Sequence, residues 1–369
     1  MIYDDFASFD VEDPFQCLSL LNDGLLPPPP IVRIEGWQYY VNKEIVTKPL
    51  MPSIDVLNSM TAIEKKEFAK KRKKYHSEMP LMETPTLAQI HKEALRVAAL
   101  NYSGSPGARM GIVLDGLGTV GKSSIVMELG KKYELSWRKN ILPKLKCAGI
   151  HNSIPVIYIT LIGELSVKDF NRLIVSFMGI NAPSSATVSW LSNQIIDTTQ
   201  ACGTSLIIID DIHFLKMCNR TAQVINNHLK FLANCISATF IYSGIDVEGS
   251  GLMKEGNSTE KAFVSQTQHR FKCYSIAPFS KDSPDLKPLL NSFEASLALQ
   301  NQLSGTLANI SDYIHDRTGG FMGAISNLIR EGANLAIDNG SERVNRVVFD
   351  KIRLDFASEA HRKTTISRS

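Results

Sequence analysis

Two hydrophobic periods alternate along the middle of the chain. Short, continuous apolar runs are separated by longer stretches in which apolar residues return every three or four positions, so buried strands alternate with helices. The predicted strands are Met110–Leu114, Val156–Leu161, Leu206–Ile209, Thr239–Tyr242 and Phe271–Ile276. The predicted helices between them are Ser124–Tyr133, Val167–Met178, Ala186–Ala201 and Thr221–Ile236. This alternation predicts an α/β domain with a parallel sheet covered on both faces.

The pattern changes after Pro278, where only the helical period remains. The predicted helices there are 287–302, 306–317, 321–338 and 343–359. The chain therefore divides into an N-terminal extension at 1–80, an α/β domain at 81–279 and an all-helical domain with a basic tail at 280–369.

The N-terminal extension has a pattern of its own. Pro27–Pro30 favours an extended segment, and the aromatic residues Trp37, Tyr39 and Tyr40 predict a short strand in an arm without its own core. Thr61 and Glu64 form a capping-box pattern. The helix they begin carries Lys65, Lys66, Lys70, Lys71, Arg72, Lys73 and Lys74. Such a charge run fits either a solvated helix face or a surface that contacts phosphates.

A second helix start precedes the first core strand. Thr84 and Pro85 occupy the N-cap and first positions, and Leu87, Ile90 and Ala94 follow at helical spacing. We expect this helix to dock on an apolar surface.

The composition is that of a globular protein and does not indicate a particular function. The 369 residues are 44% hydrophobic and 21% charged, which suits two or three globular domains. With a net charge of +3, any nucleic-acid contact must come from local basic clusters. The first residues are acidic and no apolar run reaches membrane-spanning length, so we expect a cytoplasmic or nucleoid-associated protein without a membrane contact. Six scattered cysteines are expected to be reduced packing residues.

The chemistry begins at Gly116–Ser123, which matches the phosphate-binding pattern G-x-x-x-x-G-K-[ST] between a predicted strand and a predicted helix. Glycines allow the backbone N–H groups to turn toward one point, where the helix dipole also favours an anion. Lys122 would reach the β- and γ-phosphates of ATP, and the Ser123 hydroxyl would bind Mg²⁺. The predicted nucleotide-binding residues are Gly116, Gly118, Thr119, Val120, Gly121, Lys122, Ser123 and Ser124.

A second motif specifies the metal. The apolar strand Leu206–Ile209 is followed by Asp210 and Asp211, the form of a Walker B strand. Asp210 is predicted to hold Mg²⁺ directly or through water, and Asp211 to orient the attacking water. These motifs together predict an ATPase.

This combination of motifs, core and trailing helices resembles the AAA+ ATPases. The resemblance implies that Ser243, at the end of a core strand, is a polar sensor of the γ-phosphate or the lytic water. It also implies that Arg270, before the last strand, is an arginine finger that reaches a neighbouring subunit's nucleotide. A planar, permanently charged guanidinium suits the spreading of phosphate charge in the transition state.

Within that superfamily the chain is most similar to the TniB/TnsC regulators of DNA transposition, from about Tyr75 to Asn339. The marks are Tyr75-His76 through Glu83-Thr84-Pro85, Asp210-Asp211-Ile212-His213-Phe214-Leu215, Arg270-Phe271 and Thr318-Gly319-Gly320-Phe321-Met322-Gly323. The resemblance implies an ATP-dependent homo-oligomer, ring or helical filament, on double-stranded DNA. It also implies recruitment of a DDE-type transposase and a TniQ-like target-selection adaptor.

Two departures from the family pattern bear on activity. The second Walker B acid is usually Glu, whereas Asp211 is one methylene shorter, so slow hydrolysis with normal ATP binding is expected. Many AAA+ proteins carry a nucleotide-sensing arginine at the start of a helix in the C-terminal helical domain, which is called the lid. The corresponding segment here, Phe321-Met322-Gly323, has no arginine. Arg317, just before it, and Arg330, further along, are the alternatives.

DNA contact is assigned to the loop 163–169 after the second strand, whose nearby cations are Lys168 and Arg172. The alternative for Lys168 is a purely local surface role. Two rival functions stay open: a helicase-loader or replication-initiator ATPase, and a nucleotide-gated interaction protein with little hydrolysis. Transfer of phosphate to a small molecule is disfavoured, because nothing resembles an acceptor-binding lid.

Overall fold

The computed structural model of the chain describes residues 27–104, 109–147, 152–163, 165–214, 220–247 and 270–366. The acidic N-terminal residues and Leu215 of the Walker B motif, both considered above, lie outside these ranges, as do His269 before Arg270 and Arg368 near the end of the chain.

In the described part of the chain, five parallel strands, β1 to β5 in chain order with the ranges given next, form a single sheet in the order β2-β3-β4-β1-β5. They are β1 Gly111–Gly116, β2 Val156–Thr160, β3 Leu206–Asp210, β4 Thr239–Gly244 and β5 Phe271–Ile276. Each predicted strand is confirmed, with ends that differ by no more than two residues. The register places the carboxyl ends of β1, β3 and β4 at one edge, so Asp115, Asp210 and Ser243 come near each other.

Helices cover both faces of the sheet. They are α4 Pro85–Ser103, α5 Lys122–Asn140, α6 Leu142–Cys147, α7 Val167–Phe177, α8 Val188–Ala201 and α9 Arg220–Cys235. The strands β1 to β4 have almost completely buried apolar side chains, as expected of a sheet covered on both faces, whereas β5 at the edge alternates in exposure. Thr84 caps α4 by accepting a hydrogen bond from the Leu87 amide, as predicted.

The aromatic segment of the arm is a helix, α1 Ile34–Asn42, so the predicted strand is wrong. Trp37 and Val41, four residues apart, are both buried against the α/β core. The Trp37 indole N–H donates to the buried Glu134 carboxylate at 2.6 Å, and its ring stacks on Tyr158. Helical spacing of these anchors therefore outweighs the strand propensity of the aromatic residues.

The rest of the arm packs elsewhere. It contains α2 Ile54–Ser59 and α3 Ala62–Ser77, and the predicted capping box of Thr61 and Glu64 is present at the start of α3. Tyr75 at the end of α3, with Met79 and Met82 beyond it, belongs to the apolar core of the C-terminal helices. One part of the arm therefore packs on the α/β core and the other part on the C-terminal helices.

The C-terminal region is entirely helical within the described residues. It contains α10 Leu286–Ser296, α11 Thr306–Asn309, α12 Ser311–Thr318, α13 Met322–Asp338, α14 Arg346–Phe349 and α15 Phe356–Ile366. The helix predicted at 321–338 is confirmed, and the one at 306–317 breaks at Ile310.

Two predicted helices in this region are wrong in extent. The helix predicted at 287–302 stops at Ser296, because the Ala298 amide donates to the His76 imidazole and the Gln300 amide to Glu342. The stretch 343–359 splits into α14 and α15, since Arg317 binds the carbonyls of Phe349 and Ile352 and holds the intervening turn. Long-range polar partners end both helices before their local pattern does.

Three of the described cysteines, Cys147, Cys235 and Cys273, have exposed side chains, so the packing role predicted for them is wrong. None of the described helices combines the length and apolar character needed to cross a bilayer.

Candidate nucleotide-binding site

The segment between β1 and α5 has the backbone of a phosphate-binding loop. Gly121 has φ +94°, and Thr119 has φ +59°, both in the left-handed region. A Cβ at Gly116 would lie 2.1 Å from the Ile276 carbonyl oxygen, so only glycine fits where β1 leaves the sheet. Val120 is buried and anchors the loop, while Gly118 and Thr119 are exposed. The α5 N-terminus directly follows and contributes its positive dipole end.

Lys122 lies at the base of this loop. Its side chain is largely buried, and Nζ donates to the carbonyl oxygens of Gly116 at 2.9 Å and Leu117 at 2.6 Å. Burial lowers the pKa of Lys122, whereas the carboxylates of Asp210, Asp211 and Asp115 act in the opposite direction. The charges of these three carboxylates and of the Lys122 ammonium therefore act on each other. A phosphate and its cation that bind here would interact with all four groups.

Asp210 ends β3 and is only 2% exposed. Its Oδ2 accepts a hydrogen bond from the Tyr158 hydroxyl at 2.9 Å, and Oδ1 accepts the Asp211 amide at 3.0 Å. Burial, and secondarily the Asp210 charge, raise the pKa of Tyr158, so this hydroxyl stays protonated and donates. Tyr158 is a site residue that sequence reasoning missed, because its position in β2 has meaning only after β2 pairs with β3.

Asp211 turns away from the strand. Its φ of +56° is a left-handed conformation, which Asp tolerates better than most residues, and the side chain is partly exposed. Burial raises the pKa of Asp211, the Asp210 charge raises it further, and His213 and Lys122 oppose the change. His213 Nδ1 lies 3.8 Å from Asp211 Oδ1. The two adjacent carboxylates thus have different surroundings: Asp210 is buried and held by hydrogen-bond donors, and Asp211 is partly exposed.

Ser243 is fully buried in β4, beside Leu114 of β1. Its Oγ has no hydrogen-bond partner among the described residues. A buried hydroxyl without a partner costs about 1–3 kcal/mol, so this position favours a partner supplied by bound nucleotide or water. Such a polar atom at the carboxyl edge is consistent with the predicted sensor role.

The donor set fits a Mg²⁺–nucleotide complex. Ser123 is exposed on the first turn of α5, and Asp210 supplies carboxylate oxygens at the same sheet edge. Within the described ranges no cluster of three or more His, Cys, Asp or Glu side chains could hold a metal by itself. Mg²⁺ characteristically takes one or two protein oxygens together with substrate phosphates and water, which is the arrangement available here.

A cavity of about 520 Å³ adjoins the loop and could receive the nucleotide's base. Its walls are mainly apolar and come from the start of α4, the first turn of α5, the end of β5 and the first residue of α13. They include Leu87, Ile90, Val120, Ile125, Ile276, Phe279 and Met322. The Thr84-Pro85 helix start was the sequence signal that could have located this wall.

The helical domain touches the loop through the start of α13. The Gly323 amide donates to the Thr119 carbonyl oxygen at 3.2 Å. Before it, Gly320 has φ +75°, and its carbonyl accepts the Phe279 amide at 2.9 Å, which joins this turn to the segment after β5. The motif Thr318–Gly323 therefore forms the contact between lid and phosphate loop.

Neither candidate lid arginine lies at the loop. Arg317 is buried, and its guanidinium donates to the carbonyls of Phe349 and Ile352, both at 2.8 Å. Arg330 donates to the Met79 carbonyl at 2.9 Å, and its place on α13 is about 12 Å along the helix from Met322. Arg317 therefore joins parts of the C-terminal helical domain to each other, and Arg330 joins that domain to the arm.

Arg270 lies at the amino ends of the strands, opposite the carboxyl ends where the phosphate-binding loop lies. Its carbonyl accepts the Gly111 amide at 2.7 Å, and Phe271 pairs with Gly111 at the amino end of β1. Since β1 runs roughly 17 Å from there to the loop, the exposed Arg270 side chain cannot reach the phosphates of its own chain. Any role for it in catalysis must be on another subunit.

The predicted DNA-contacting cations lie on α7, after the carboxyl end of β2. Arg172 donates to the carbonyls of Pro183 and Ser184, both at 3.0 Å, and Lys168 Nζ lies 3.4 Å from the Ser184 oxygen. Both side chains are partly exposed and hold the loop at 183–184. Their contact with DNA stays a prediction.

Comparisons with known proteins agree with this architecture. The family model described as "Bacterial TniB protein" matches residues 96–273, from within α4 to β5. None of the curated proteins matches the chain significantly in sequence. Among solved structures, the Aeropyrum pernix ORC1 protein in complex with DNA has 14% identity and a TM-score of 0.53, covering 78% of this chain and 66% of that one. The ORC2 protein of the same organism, in ADPNP–ADP complexes, has 14% identity and a TM-score of 0.55, covering 73% and 68%.

At this identity the structural likeness concerns the fold alone, and the chain spans about two thirds of the length of these archaeal proteins. The expected fold, an AAA+ P-loop core with a C-terminal helical region, is confirmed.

Proposed function

We propose that this protein is an ATP-dependent, DNA-binding AAA+ regulator of DNA transposition, because residues 96–273 match the TniB family model. It forms an oligomer on double-stranded DNA and recruits or activates a transposase at target sites. The observation that carries the proposal is that the segment matched by the TniB model contains Lys122, Ser123 and Asp210, which lie at the same end of the sheet and suit the binding of phosphate and Mg²⁺.

The residues divide the work of nucleotide hydrolysis between binding and activation. Mg²⁺-ATP supplies the phosphoanhydride bond and neutralises charge on the β- and γ-phosphates. The loop amides and Lys122 bind the phosphates, and Ser123 and Asp210 provide oxygens for the metal. Asp211 orients the attacking water, and the Ser243 hydroxyl registers the state of the γ-phosphate.

Hydrolysis is proposed to be slow. Asp211 is shorter than the glutamate usual at this position, so it aligns water less well. Its raised pKa shows that burial and the Asp210 charge disfavour its ionised form. A slow ATPase would spend most of its time bound to ATP, which suits a protein whose ATP-bound oligomer is the active state.

The proposed partners follow from the TniB match. They are double-stranded DNA, further copies of this chain in a ring or filament, a transposase and a TniQ-like adaptor, all in the bacterial cytosol. On DNA, Lys168 and Arg172 are proposed to face the phosphate backbone, with contacts that add over many subunits. Lys168→Ala should weaken ATP-dependent DNA binding and reduce its salt dependence. An unchanged salt slope would contradict this assignment.

Negative-stain imaging of the full chain with linear duplex DNA tests the proposed assembly. Rings or filaments are expected with ATP and with a non-hydrolysable analogue, and not with ADP. Lys122→Gln is the control, because it removes the loop ammonium and should prevent assembly even with ATP. Assemblies that form equally with ADP, or no assembly on DNA with any nucleotide, would contradict the proposal.

The rival initiator or helicase-loader function has a fold likeness in its favour, since the ORC1 and ORC2 neighbours share the architecture at 14% identity. At 14% identity that likeness concerns the fold and says nothing of the activities of ORC1 and ORC2. The TniB match is a match of the amino-acid sequence to a family model and therefore carries more weight. A nucleotide-gated protein with negligible hydrolysis is distinguished by steady-state turnover: no turnover above that of Lys122→Gln would favour it.

A further inference from the structure

The basic helix α3 is fixed to the helical domain by one of its faces. Arg72 is buried and forms two hydrogen bonds with Glu342, at 2.6 and 3.0 Å. Tyr75 donates its hydroxyl to the Ser296 carbonyl at 2.9 Å, and the His76 imidazole accepts the Ala298 amide at 3.0 Å. The helix is therefore rigidly docked rather than a free charged segment.

The opposite face carries a line of lysines. Lys66, Lys70 and Lys74 follow one another at four-residue spacing, all are exposed, and none pairs with a carboxylate in the described part of the chain. Lys71 is exposed beside them, whereas Lys73 pairs with Asp338. We call the face formed by Lys66, Lys70 and Lys74 the lysine face.

Acidic residues do little to neutralise this face. Glu64 accepts hydrogen bonds from the backbone and side chain of Thr61 in the capping box, which lower the pKa of its carboxyl group. Glu67 is the remaining acid between Glu64 and Ser77 of α3. The lysine face thus presents a concentrated positive charge on a protein whose net charge is only +3.

We propose that the lysine face binds the phosphate backbone of double-stranded DNA, an inference that rests on the proposed function and locates a DNA surface outside the α/β core. Its three ammonium groups are spaced about 6 Å apart along a rigid helix. Over the roughly 12 Å they cover, a duplex presents one phosphate charge about every 1.7 Å, so each lysine can meet a phosphate and release its counterion.

The docking of α3 argues against a membrane as the partner. A helix that lies on a bilayer needs an exposed apolar face beside its cations, but the face of α3 that includes Arg72 and Tyr75 is occupied by the lid. From Lys66 to Lys74 the face available to a partner is a row of charges, which suits a polyanion, and Ile63 in the first turn is the exposed large apolar side chain of α3.

The lysine face is also connected to the nucleotide site. It is carried by α3, which packs against α13, and the first turn of α13 binds the phosphate loop through Gly323 and Thr119. A change at the loop that moves α13 therefore moves the lysine face. DNA bound there should favour one nucleotide state, and nucleotide should in turn alter DNA affinity, by thermodynamic reciprocity.

The test compares two triple variants of the full chain. Lys66/Lys70/Lys74→Gln removes the lysine face. Lys139/Lys144/Lys146→Gln removes the same number of exposed charges from α5 and α6 and serves as the matched control. Fluorescence anisotropy of a labelled duplex is measured with ATP over 50–200 mM NaCl, a range in which phosphate contacts dominate the salt dependence.

The lysine-face variant should bind DNA about tenfold or more weakly at the upper salt end, with a log–log salt slope reduced by about 2–3, since each phosphate contact contributes about 0.9. The control should keep the wild-type slope. Both variants should bind a fluorescent ATP analogue as wild type does, which shows that the fold and the loop are intact.

The outcomes separate this inference from the proposed function. If wild type binds no duplex with any nucleotide, the proposed function fails. If wild type binds and the lysine-face variant keeps its slope, or both variants lose equally, the lysine face is not the contact while the proposed function stands. Phosphatidylserine vesicles that bind wild type but not the lysine-face variant, with duplex binding unchanged, would overturn the inference in favour of a membrane surface.

Discussion

Two adjacent carboxylates with the same chemistry, Asp210 and Asp211, lie in different environments. Asp210 is buried and accepts hydrogen bonds from Tyr158 and the chain, whereas Asp211 is turned outward by a left-handed backbone. The residue-scale difference comes from strand pairing, which supplies the tyrosine, and from the turn that follows β3. It is the structural basis for the different roles proposed for the two residues, metal binding for Asp210 and orientation of water for Asp211.

Asp211→Glu is predicted to raise the steady-state ATP turnover about tenfold, because one better-aligned hydrogen bond to the attacking water lowers the barrier by about 1.4 kcal/mol. The measurement is phosphate release at saturating ATP with duplex DNA present. Asp211→Asn is the control, since it keeps the shape and removes the base, and should be inactive. A glutamate variant no faster than wild type would show that side-chain length does not limit hydrolysis.

At the scale of elements, α3 and α13 form the link between the arm and the lid. Two ion pairs join α3 to the C-terminal end of α13 and the residues after it. They differ sharply in burial, although Arg72 and Lys73 are neighbours. The Arg72–Glu342 pair is buried, with side chains only 4% and 11% exposed, while the Lys73–Asp338 pair is 36% and 57% exposed. Arg72 and Lys73 therefore allow the contribution of a buried ion pair to stability to be compared with that of an exposed one.

Arg72→Ala is predicted to destabilise the protein by about 3–5 kcal/mol, because it leaves the Glu342 carboxylate buried without its partner. Lys73→Ala should cost no more than about 1 kcal/mol, since its pair is open to solvent. Chemical denaturation of both variants, followed by circular dichroism, measures the difference. Equal losses would mean that the buried pair does not hold α3 to the lid.

A second element-scale prediction concerns the turn before α13. Gly320→Ala should destabilise the protein by about 3 kcal/mol or more, because φ is +75° and a Cβ would lie 2.0 Å from the Phe279 carbonyl oxygen. Gly340→Ala at the other end of α13 has a similar φ of +69° but open space around it, and should cost only about 1 kcal/mol. Thermal unfolding compares them, and similar melting temperatures would contradict a close-packed turn.

For the whole molecule, the feature that matters most is the distance between Arg270 and the nucleotide site of the same chain. The nucleotide site and this arginine lie at opposite edges of one sheet, so a single chain cannot bring them together. A head-to-tail association of copies, in which each chain offers its arginine edge to the next chain's loop, would complete the site. Such an assembly agrees with the oligomer proposed above.

Mixing two inactive variants tests this shared site. Arg270→Ala keeps a complete loop but lacks the arginine, and Asp211→Asn keeps the arginine but lacks the base, so each alone should have little turnover. Mixed in equal amounts, about one interface in four joins an intact loop to an intact arginine, and about a quarter of the wild-type rate should return. No recovery, although mixed oligomers form, would show that Arg270 does not act between subunits.

The sequence by itself determined the α/β alternation, the phosphate loop, the Asp210–Asp211 pair and the caps at Thr61 and Thr84, because each depends on residues close together in the chain. It misjudged α1 and the ends of two lid helices, where Glu134, His76 and Arg317 reach distant segments and outweigh local propensity. Only the tertiary structure decided that Tyr158 supports Asp210, that Gly323 contacts the loop, and that Arg270 faces away from its own site. Those relations depend on strand order and register, which bring together residues whose spacing along the chain carries no signal.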